Sequence, residues 1–294
     1  MARIMPDFTA QKNLPGKDKA GTDGQAGARA AFAPPPLPKR FYQEVRVAEI
    51  EPAAAGETVA EIAVKQAACP HFTILLDGRP VKTPARRPLL LPSHALAELT
   101  EDEFQAQENS VNLALMPVVR LANTVIDGLA ANQQPVREDI LRYSACDMLF
   151  YRADSPRELA EKQAQNWDKV LDWAGETMGA EFQAGTGVMF ITQKPEALAA
   201  VSSYLRQWLS PATARTPFAL AALHVMTCVT GSVLLAFMAE SGALTVREAW
   251  QLAQIEEDWT MAQWGQDEEA AQKRAERERD FYAAAAVLTA LKAG

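Results

Sequence analysis

Residues 72–83 have the sequence Phe-Thr-Ile-Leu-Leu-Asp-Gly-Arg-Pro-Val-Lys-Thr, in which Asp77 and Gly78 separate two runs of apolar residues. Aspartate and glycine both tolerate the positive φ angles that a two-residue hairpin turn requires. The stretch therefore predicts two antiparallel strands joined by a tight turn. A sheet that contains such a hairpin must bury one face against other elements, and the surrounding sequence provides them.

Further short strands are expected on both sides of the hairpin. Residues 41–48 and 60–64 alternate between apolar and polar side chains, as a half-buried strand does. Leu89–Leu91 is a fourth candidate strand, which ends at Pro92. Short strands joined by turns favour a small antiparallel sheet, either open or rolled into a barrel-like form.

From Pro135 onward the chain is expected to be helical, because apolar residues recur at helical spacing. Thr245-Val-Arg-Glu248 is a capping-box sequence that predicts the start of a helix. That helix is expected to continue without a break to Gly265. The predicted fold class is therefore α+β, with a small antiparallel β domain at the N-terminus followed by a C-terminal helical bundle.

Three segments are expected along the chain. Residues 1–38 are predicted to be a disordered tail, because the first 40 residues contain six prolines and four glycines. Residues 39–130 are predicted to form the β-rich domain, with flanking helices that begin near Ser93 and Pro117. Residues 131–294 are predicted to form an all-helical domain.

Charge is unevenly distributed along the chain. The 294 residues carry a net charge of −8, but the first 40 residues have seven bases and three acids, so residues 41–294 carry −12. Acidic surfaces repel phosphate backbones, and nucleic-acid binding is therefore not expected. Residues 216–239 have no charged side chain but include His224 and several threonines. We expect a buried helix there, or two helices separated near Gly231, rather than a membrane span.

Cysteine usage favours a reducing compartment. Cys69, Cys146 and Cys228 are far apart in sequence and form no Cys-x-x-Cys pair. Cys146, Cys228 and His224 lie in predicted helices, where packing in the core is the expected role. Because no secretory signal is visible, the expected location is the bacterial cytoplasm, with the mitochondrial matrix as the alternative.

Signatures of enzymes are scarce in this sequence. It has no glycine-rich phosphate loop, no Gly-x-Ser-x-Gly elbow and no His-Glu-x-x-His zinc motif. We therefore expect no catalytic residues, no metal site and no cofactor. A carboxylate-dependent enzyme that acts on small molecules, with or without a divalent metal, is the alternative, because one cluster of acids stands out.

That cluster is the segment 255–259, Ile-Glu-Glu-Asp-Trp. On an uninterrupted helix, Leu252, Ile255 and Trp259 form one apolar stripe, and Glu256 falls inside it. The two acids that follow Glu256 point away from the stripe, as a solvated flank. A carboxylate on a buried face needs a cation, hydrogen-bond donors or a binding partner.

Two roles for Glu256 are consistent with this position. The first is a buried ion pair with an arginine such as Arg120, Arg142 or Arg152. The second is recognition of a basic or amide-rich surface on a partner protein. Trp264 lies on the side of the predicted helix opposite the stripe, and tryptophan is enriched at interface hot spots, which slightly favours the second role.

Several segments, taken in order, resemble one protein family. They are Lys39-Arg40-Phe41-Tyr42, the run Leu76 to Pro84, Met116-Pro117 with Arg120 to Thr124 and Asp127, Asp147 to Arg152, and Glu256 to Trp259 with Trp264-Gly265. In this combination they are similar to the α-subunit assembly chaperone of the F-type ATP synthase, called F(1) complex assembly factor 2 in mitochondria. The similarity extends over residues 39–291.

This resemblance implies a chaperone without enzymatic activity. Members of the family hold the unassembled α subunit until a β subunit replaces it, and they have a β-rich domain followed by a helical domain. The family's key acid corresponds to Glu256, while Thr260 stands where glutamine is usual. The implied partner is the α subunit, with no nucleic acid, no membrane insertion and no small-molecule substrate. The predicted partner-binding residues are Glu256, Glu257, Asp258, Trp259 and Trp264.

Overall fold

The computed structural model describes residues 37–50 and 71–293 of the chain. The predicted tail up to residue 36, the predicted strand at 60–64 and Cys69 lie outside the described residues. The described residues from Pro38 onward form one compact unit. The division of this unit at residue 130 stays a prediction.

The predicted hairpin is present. β1 (Val45–Ile50), β2 (His71–Leu76) and β3 (Arg79–Pro80) form an antiparallel sheet in the order β1-β2-β3. At the turn between β2 and β3, Asp77 and Gly78 have φ angles of 47° and 77°, as the sequence predicts. Within the described residues these strands form an open sheet rather than a barrel, which confirms the first of the two predicted forms.

Two details of the sheet differ from the predictions. The first strand begins at Val45 rather than at residue 41. The fourth strand predicted at Leu89–Leu91 does not form, because Leu91 pairs with Phe72 only through an isolated bridge. The segment divides its pairing between two neighbours. The N–H of Leu89 donates to the carbonyl of Val81 at 3.1 Å, while Leu91 and Phe72 exchange hydrogen bonds of 2.8 and 2.9 Å.

The remainder of the described chain is mainly helical, as predicted. In chain order the helices and the second strand pair are α1 (His94–Gln105), α2 (Pro117–Thr124), α3 (Gln134–Ala145), β4 (Tyr151–Arg152), α4 (Arg157–Met178), β5 (Gly185–Thr186), α5 (Pro195–Trp208), α6 (Thr216–Thr230), α7 (Val233–Ser241), α8 (Val246–Ala253), α9 (Ile255–Trp264) and α10 (Glu268–Lys292). β4 and β5 pair in parallel. Short helical turns at Leu113–Leu115, Val125–Leu129 and Met148–Phe150 connect some of these elements.

The uncharged stretch forms the centre of the helical part. It consists of two helices, α6 and α7, separated by Gly231 with a φ angle of 71°. Most side chains of both helices are buried. The second half of α10, whose buried residues include Phe281 and Leu288, packs along α6. Among the described residues, no helix has the length and apolar character needed to cross a membrane.

A buried aspartate fixes the link between α3 and the start of α7. Asp147 is fully buried, and its Oδ1 accepts a hydrogen bond from the backbone N–H of Leu149 at 3.1 Å. Its Oδ2 accepts hydrogen bonds from the Ser232 hydroxyl at 2.9 Å and from the Leu234 N–H at 3.3 Å. Because each carboxylate oxygen has donors, the buried acid connects two segments that are 85 residues apart.

Candidate functional site

The acidic segment lies just after a break between two helices. The sequence predicts one helix from residue 246 to Gly265, but α8 ends at Ala253, and Gln254 has φ and ψ angles of −101° and 7°. Trp250 and Ile255 are both buried. Five residues apart on a continuous helix, they would point about 140° away from each other. The break allows both side chains to reach the core.

Because of this break, Glu256 does not lie on a buried face. Its side chain is exposed, so the predicted position inside an apolar stripe is wrong. Glu256 Oε1 accepts a hydrogen bond of 2.6 Å from Nε2 of Gln163 on α4. Gln163 is fully buried, and its Oε1 accepts a hydrogen bond of 2.7 Å from the backbone N–H of Ala153. The carboxylate is therefore held at the surface by an amide whose orientation is fixed.

The predicted buried ion pair is not formed. Arg120 pairs with Asp280 at 2.5 Å, Arg152 pairs with Asp168 at 2.9 Å, and Arg142 pairs with Asp139. Within the part of the chain that the structure describes, Glu256 has no salt bridge. An exposed carboxylate is solvated by water and needs no internal cation, which explains why these arginines can pair elsewhere.

The two acids that follow have internal partners instead. Glu257 pairs with Arg277 at 2.6 Å, and Asp258 pairs with Arg274 at 2.7 Å. Both acids are partly buried, so the prediction of a solvated flank is wrong. The two pairs connect α9 to the first half of α10. We call this helical pair, residues 255–280, the helical arm. Residues 262–270 at its tip are all exposed.

The tryptophans of this region have different environments. Trp250 is 3% exposed and packs on Phe281, with 5.5 Å between the ring centroids. Trp259 is partly buried. Trp264, the last residue of α9, is 86% exposed. Trp250 therefore belongs to the core, while Trp264 presents a large apolar surface to solvent at the tip of the helical arm.

An exposed apolar loop follows β5. Its residues are Val188, Met189 and Phe190, which are 96%, 79% and 67% exposed. The preceding Gly187 donates a backbone hydrogen bond of 2.9 Å to the carbonyl of Arg152. We call Val188–Phe190 the apolar loop. The sequence predictions missed it, although an apolar run after Gly187 that continues neither a helix nor a strand pattern is a visible signal.

The apolar loop and Glu256 are anchored to the same framework. Arg152 donates a hydrogen bond of 3.0 Å to the carbonyl of Gln163, and its guanidinium lies 5.1 Å from the ring centroid of Trp167. Trp167 is fully buried and donates its indole N–H to the carbonyl of Leu252 at 2.9 Å. α4 thus connects the strand that holds the apolar loop to the helices that hold Glu256.

Comparison with known proteins identifies the family. Residues 39–175 match the family described as ATP12 chaperone protein. This chain is 46% identical in sequence to Atu1473, a candidate chaperone from Agrobacterium tumefaciens with a crystal structure. The match covers 92% of each chain, with a TM-score of 0.75. The chain belongs to the ATP12 chaperone family. Atp12 from Paracoccus denitrificans is 29% identical with a TM-score of 0.71, and the match covers 86% of this chain and 98% of that one.

Membership in the ATP12 family decides between the classes of function that the sequence left open. The protein is a chaperone and not an enzyme, so the alternative of a carboxylate-dependent enzyme is wrong. The family match at residues 39–175 includes Arg152, Gln163 and Trp167, the residues that form the framework below Glu256.

Proposed function

We propose that this ATP12 family member binds the unassembled α subunit of the F-type ATP synthase and shields its apolar interface until the β subunit replaces it. The observation that carries the proposal is the state of Glu256, an exposed carboxylate oriented by the buried Gln163. Among the described residues it has no cationic partner. A positioned acid of this kind fits a binding surface better than a structural ion pair.

The energetics of the carboxylate favour a basic or amide-bearing client group. Removing a carboxylate from water is costly unless donors replace the lost hydration. Gln163 already donates one hydrogen bond to Oε1. A client arginine or backbone N–H therefore needs to supply only the remaining hydrogen bonds to the two carboxylate oxygens. Because Gln163 is held by Ala153, little side-chain entropy is lost when the client binds.

Exposed apolar residues supply the second part of the proposed interface. Trp264 and the apolar loop offer aromatic and thioether side chains, which are adaptable binding groups. An unassembled subunit exposes the apolar surface that its neighbour will later cover, and such patches promote aggregation. A chaperone must release its client, so we expect an interface at or below the standard size of about 1,600 Å². Glu257, Asp258 and Trp259 are proposed to support this surface.

The expected site of action is the bacterial cytoplasm. The mitochondrial matrix is the alternative, since the family resemblance includes mitochondrial members. The proposal requires no nucleic acid, no membrane insertion and no small-molecule substrate.

Co-expression with the α and β subunits tests the proposal. The chain is expected to co-purify with α in the absence of β, and to be released as β is added. Glu256→Gln removes the charge without changing the shape and should weaken capture of α by about 10-fold or more, because a charge-assisted hydrogen bond contributes about 1.5–3 kcal/mol. Glu176→Gln, at an exposed acid near the C-terminal end of α4 and outside the helical arm, is the matched control and should capture α as the unmodified chain does.

Thermal melts decide between an interface role and a structural one. Glu256→Gln should change the free energy of unfolding by no more than about 0.5 kcal/mol, as ordinary surface substitutions do. If the variant unfolds at a much lower temperature, or if both glutamate variants capture α equally well, Glu256 is not the polar centre of the interface. Failure of the unmodified chain to capture α would overturn the proposed function itself.

A further inference from the structure

A second cluster of polar side chains lies away from the helical arm, where α3 packs against α6. Asp139 comes from α3, while His224 and Cys228 lie four residues apart on one face of α6. One ligand atom from each side chain lies within 4.8 Å of the other two. Nε2 of His224 is 2.6 Å from Oδ2 of Asp139 and 3.4 Å from Sγ of Cys228.

The arrangement differs from a catalytic triad. In a nucleophile–histidine–acid triad the nucleophile and the acid contact different nitrogens of the imidazole ring. Here the thiol and the carboxylate both contact Nε2 of His224. One nitrogen cannot accept the proton of the thiol while it donates its own proton to the acid. Three ligand atoms that lie within 4.8 Å of one another are instead typical of the side chains around a metal ion.

The chemistry of the three atoms matches zinc. Thiolate, imidazole and carboxylate are the usual zinc ligands, at distances of about 2.0–2.3 Å, and three protein ligands leave a fourth position for water. Tetrahedral geometry with these bond lengths places neighbouring ligand atoms about 3.3–3.6 Å apart. The Sγ–Nε2 distance of 3.4 Å already fits. The Oδ2–Nε2 distance of 2.6 Å must open by about 0.7 Å, a small rotation of the Asp139 side chain.

Neighbouring residues support the same arrangement. Arg142 pairs with Oδ1 of Asp139, which leaves Oδ2 directed towards His224. A hydrogen bond to the second oxygen of a ligating carboxylate is a common way to orient it. Tyr143 lies next to Cys228, and Cys228 itself is exposed, so an ion and its water ligand can enter from solvent.

We propose that Asp139, His224 and Cys228 form a Zn²⁺-binding site that connects α3 to α6, with water as the fourth ligand. On binding, the Cys228 thiol releases its proton to solvent, and exchange with solvent leaves the ring proton of His224 on Nδ1 rather than Nε2. The thiolate and Nε2 then both coordinate the ion. The sequence predicted no metal site, and it placed Cys228 and His224 in the core. The ligand from α3 is 85 residues away from His224, so no local spacing reveals the site.

Cobalt titration of the reduced, metal-stripped full chain tests the proposal. Co²⁺ should bind one ion per chain, give a thiolate-to-cobalt charge-transfer band, and be displaced by Zn²⁺. Saturating Zn²⁺ should raise the Tm by about 5 °C, because a ligand that binds only the folded state stabilises it. Absence of the charge-transfer band in the unmodified chain would overturn the proposal.

Single substitutions identify the ligands. Cys228→Ser should abolish the charge-transfer band. Asp139→Asn or His224→Ala should weaken Zn²⁺ binding by more than about 10-fold, since loss of a mere hydrogen-bond partner of a ligand already costs about 10–100-fold. Cys146→Ser is the matched control, because Cys146 is also an exposed thiol but is hydrogen-bonded to the carbonyl of Arg142 rather than to a residue of the cluster. If Cys146→Ser removes the band, or if Cys228→Ser retains it, the ion binds elsewhere and the assignment is wrong.

Discussion

At the scale of single residues, Glu103 shows how burial and hydrogen bonding compete. Both of its carboxylate oxygens accept backbone hydrogen bonds of 2.8 Å, from Val118 and Val119 at the start of α2. Burial nevertheless raises the pKa of Glu103 to about 7, more than these bonds and the nearby Arg120 lower it, while Asp280 adds to the rise. The protonated form is therefore favoured in the folded state relative to the unfolded chain.

This shift predicts a specific dependence of stability on pH. The contribution of Glu103 is fully present below the unfolded pKa of about 4.5 and is lost as pH rises towards 7, because the folded state holds the proton more tightly. The total change is at most about 3 kcal/mol. Glu103→Gln cannot titrate at this position. The free energy of unfolding of the unmodified chain, relative to that of Glu103→Gln, should therefore fall as pH rises across this range. Urea unfolding at several pH values measures it, and a constant difference would contradict the raised pKa.

At the scale of elements, the helical arm combines internal ion pairs with an exposed aromatic tip. The pair between Glu257 and Arg277 is partly exposed, with 29% and 42% of the side chains accessible. We expect a coupling free energy of about 0.2–1 kcal/mol between them. A double-mutant cycle with Glu257→Gln and Arg277→Gln measures this coupling. A value near zero would show that other contacts hold the arm together.

The tryptophans at the two ends of the same region should respond in opposite ways. Trp250→Ala removes a buried ring from its contact with Phe281 and should reduce the free energy of unfolding by about 3–5 kcal/mol. Trp264→Ala changes an 86% exposed side chain and should leave the stability nearly unchanged, but weaken capture of the α subunit. Denaturant unfolding and co-purification separate the two effects. If Trp264→Ala captures α normally, the arm tip does not contact the client.

The same elements show what the sequence could and could not predict. The hairpin at Asp77-Gly78 depends on local φ angles, so residue types alone were sufficient to predict it. The break at Gln254 depends on Trp250 and Ile255 both reaching a core built by distant helices, and no local signal marks it. This unpredicted break changes the environment of Glu256, Glu257 and Asp258.

Long-range pairing explains the other differences. The partner of Glu256 is Gln163, which is 93 residues away, and a single sequence does not show which of many polar residues will lie beside it. The composition did identify the segment as unusual, and the family resemblance identified the class of protein. The apolar loop could have been noticed in sequence, but its place beside β4 depends on the pairing of β4 with β5, which are distant in sequence.

At the scale of the whole molecule, the charge of the body predicts how the client arrives. Residues 41–294 carry a net charge of −12, which attracts a basic client surface over a distance of about 10 Å at 0.1 M salt. The association rate with the α subunit should therefore fall by about 10-fold as salt is raised from low to physiological concentration, whereas the dissociation rate should change less. Stopped-flow or surface-based kinetics at several salt concentrations measure both rates.

The binding kinetics of Glu256→Gln test whether this carboxylate contacts the client directly. A desolvated, hydrogen-bonded charge acts mainly on dissociation, so Glu256→Gln should raise the dissociation rate while it leaves the salt dependence of association almost unchanged. Glu176→Gln removes an exposed charge of the same sign outside the helical arm and should change only the association rate, and only slightly. Equal effects of the two variants on association alone would mean that Glu256 contributes to the general field and makes no direct contact. An association rate independent of salt would show instead that the apolar loop and Trp264 capture the client without steering by charge.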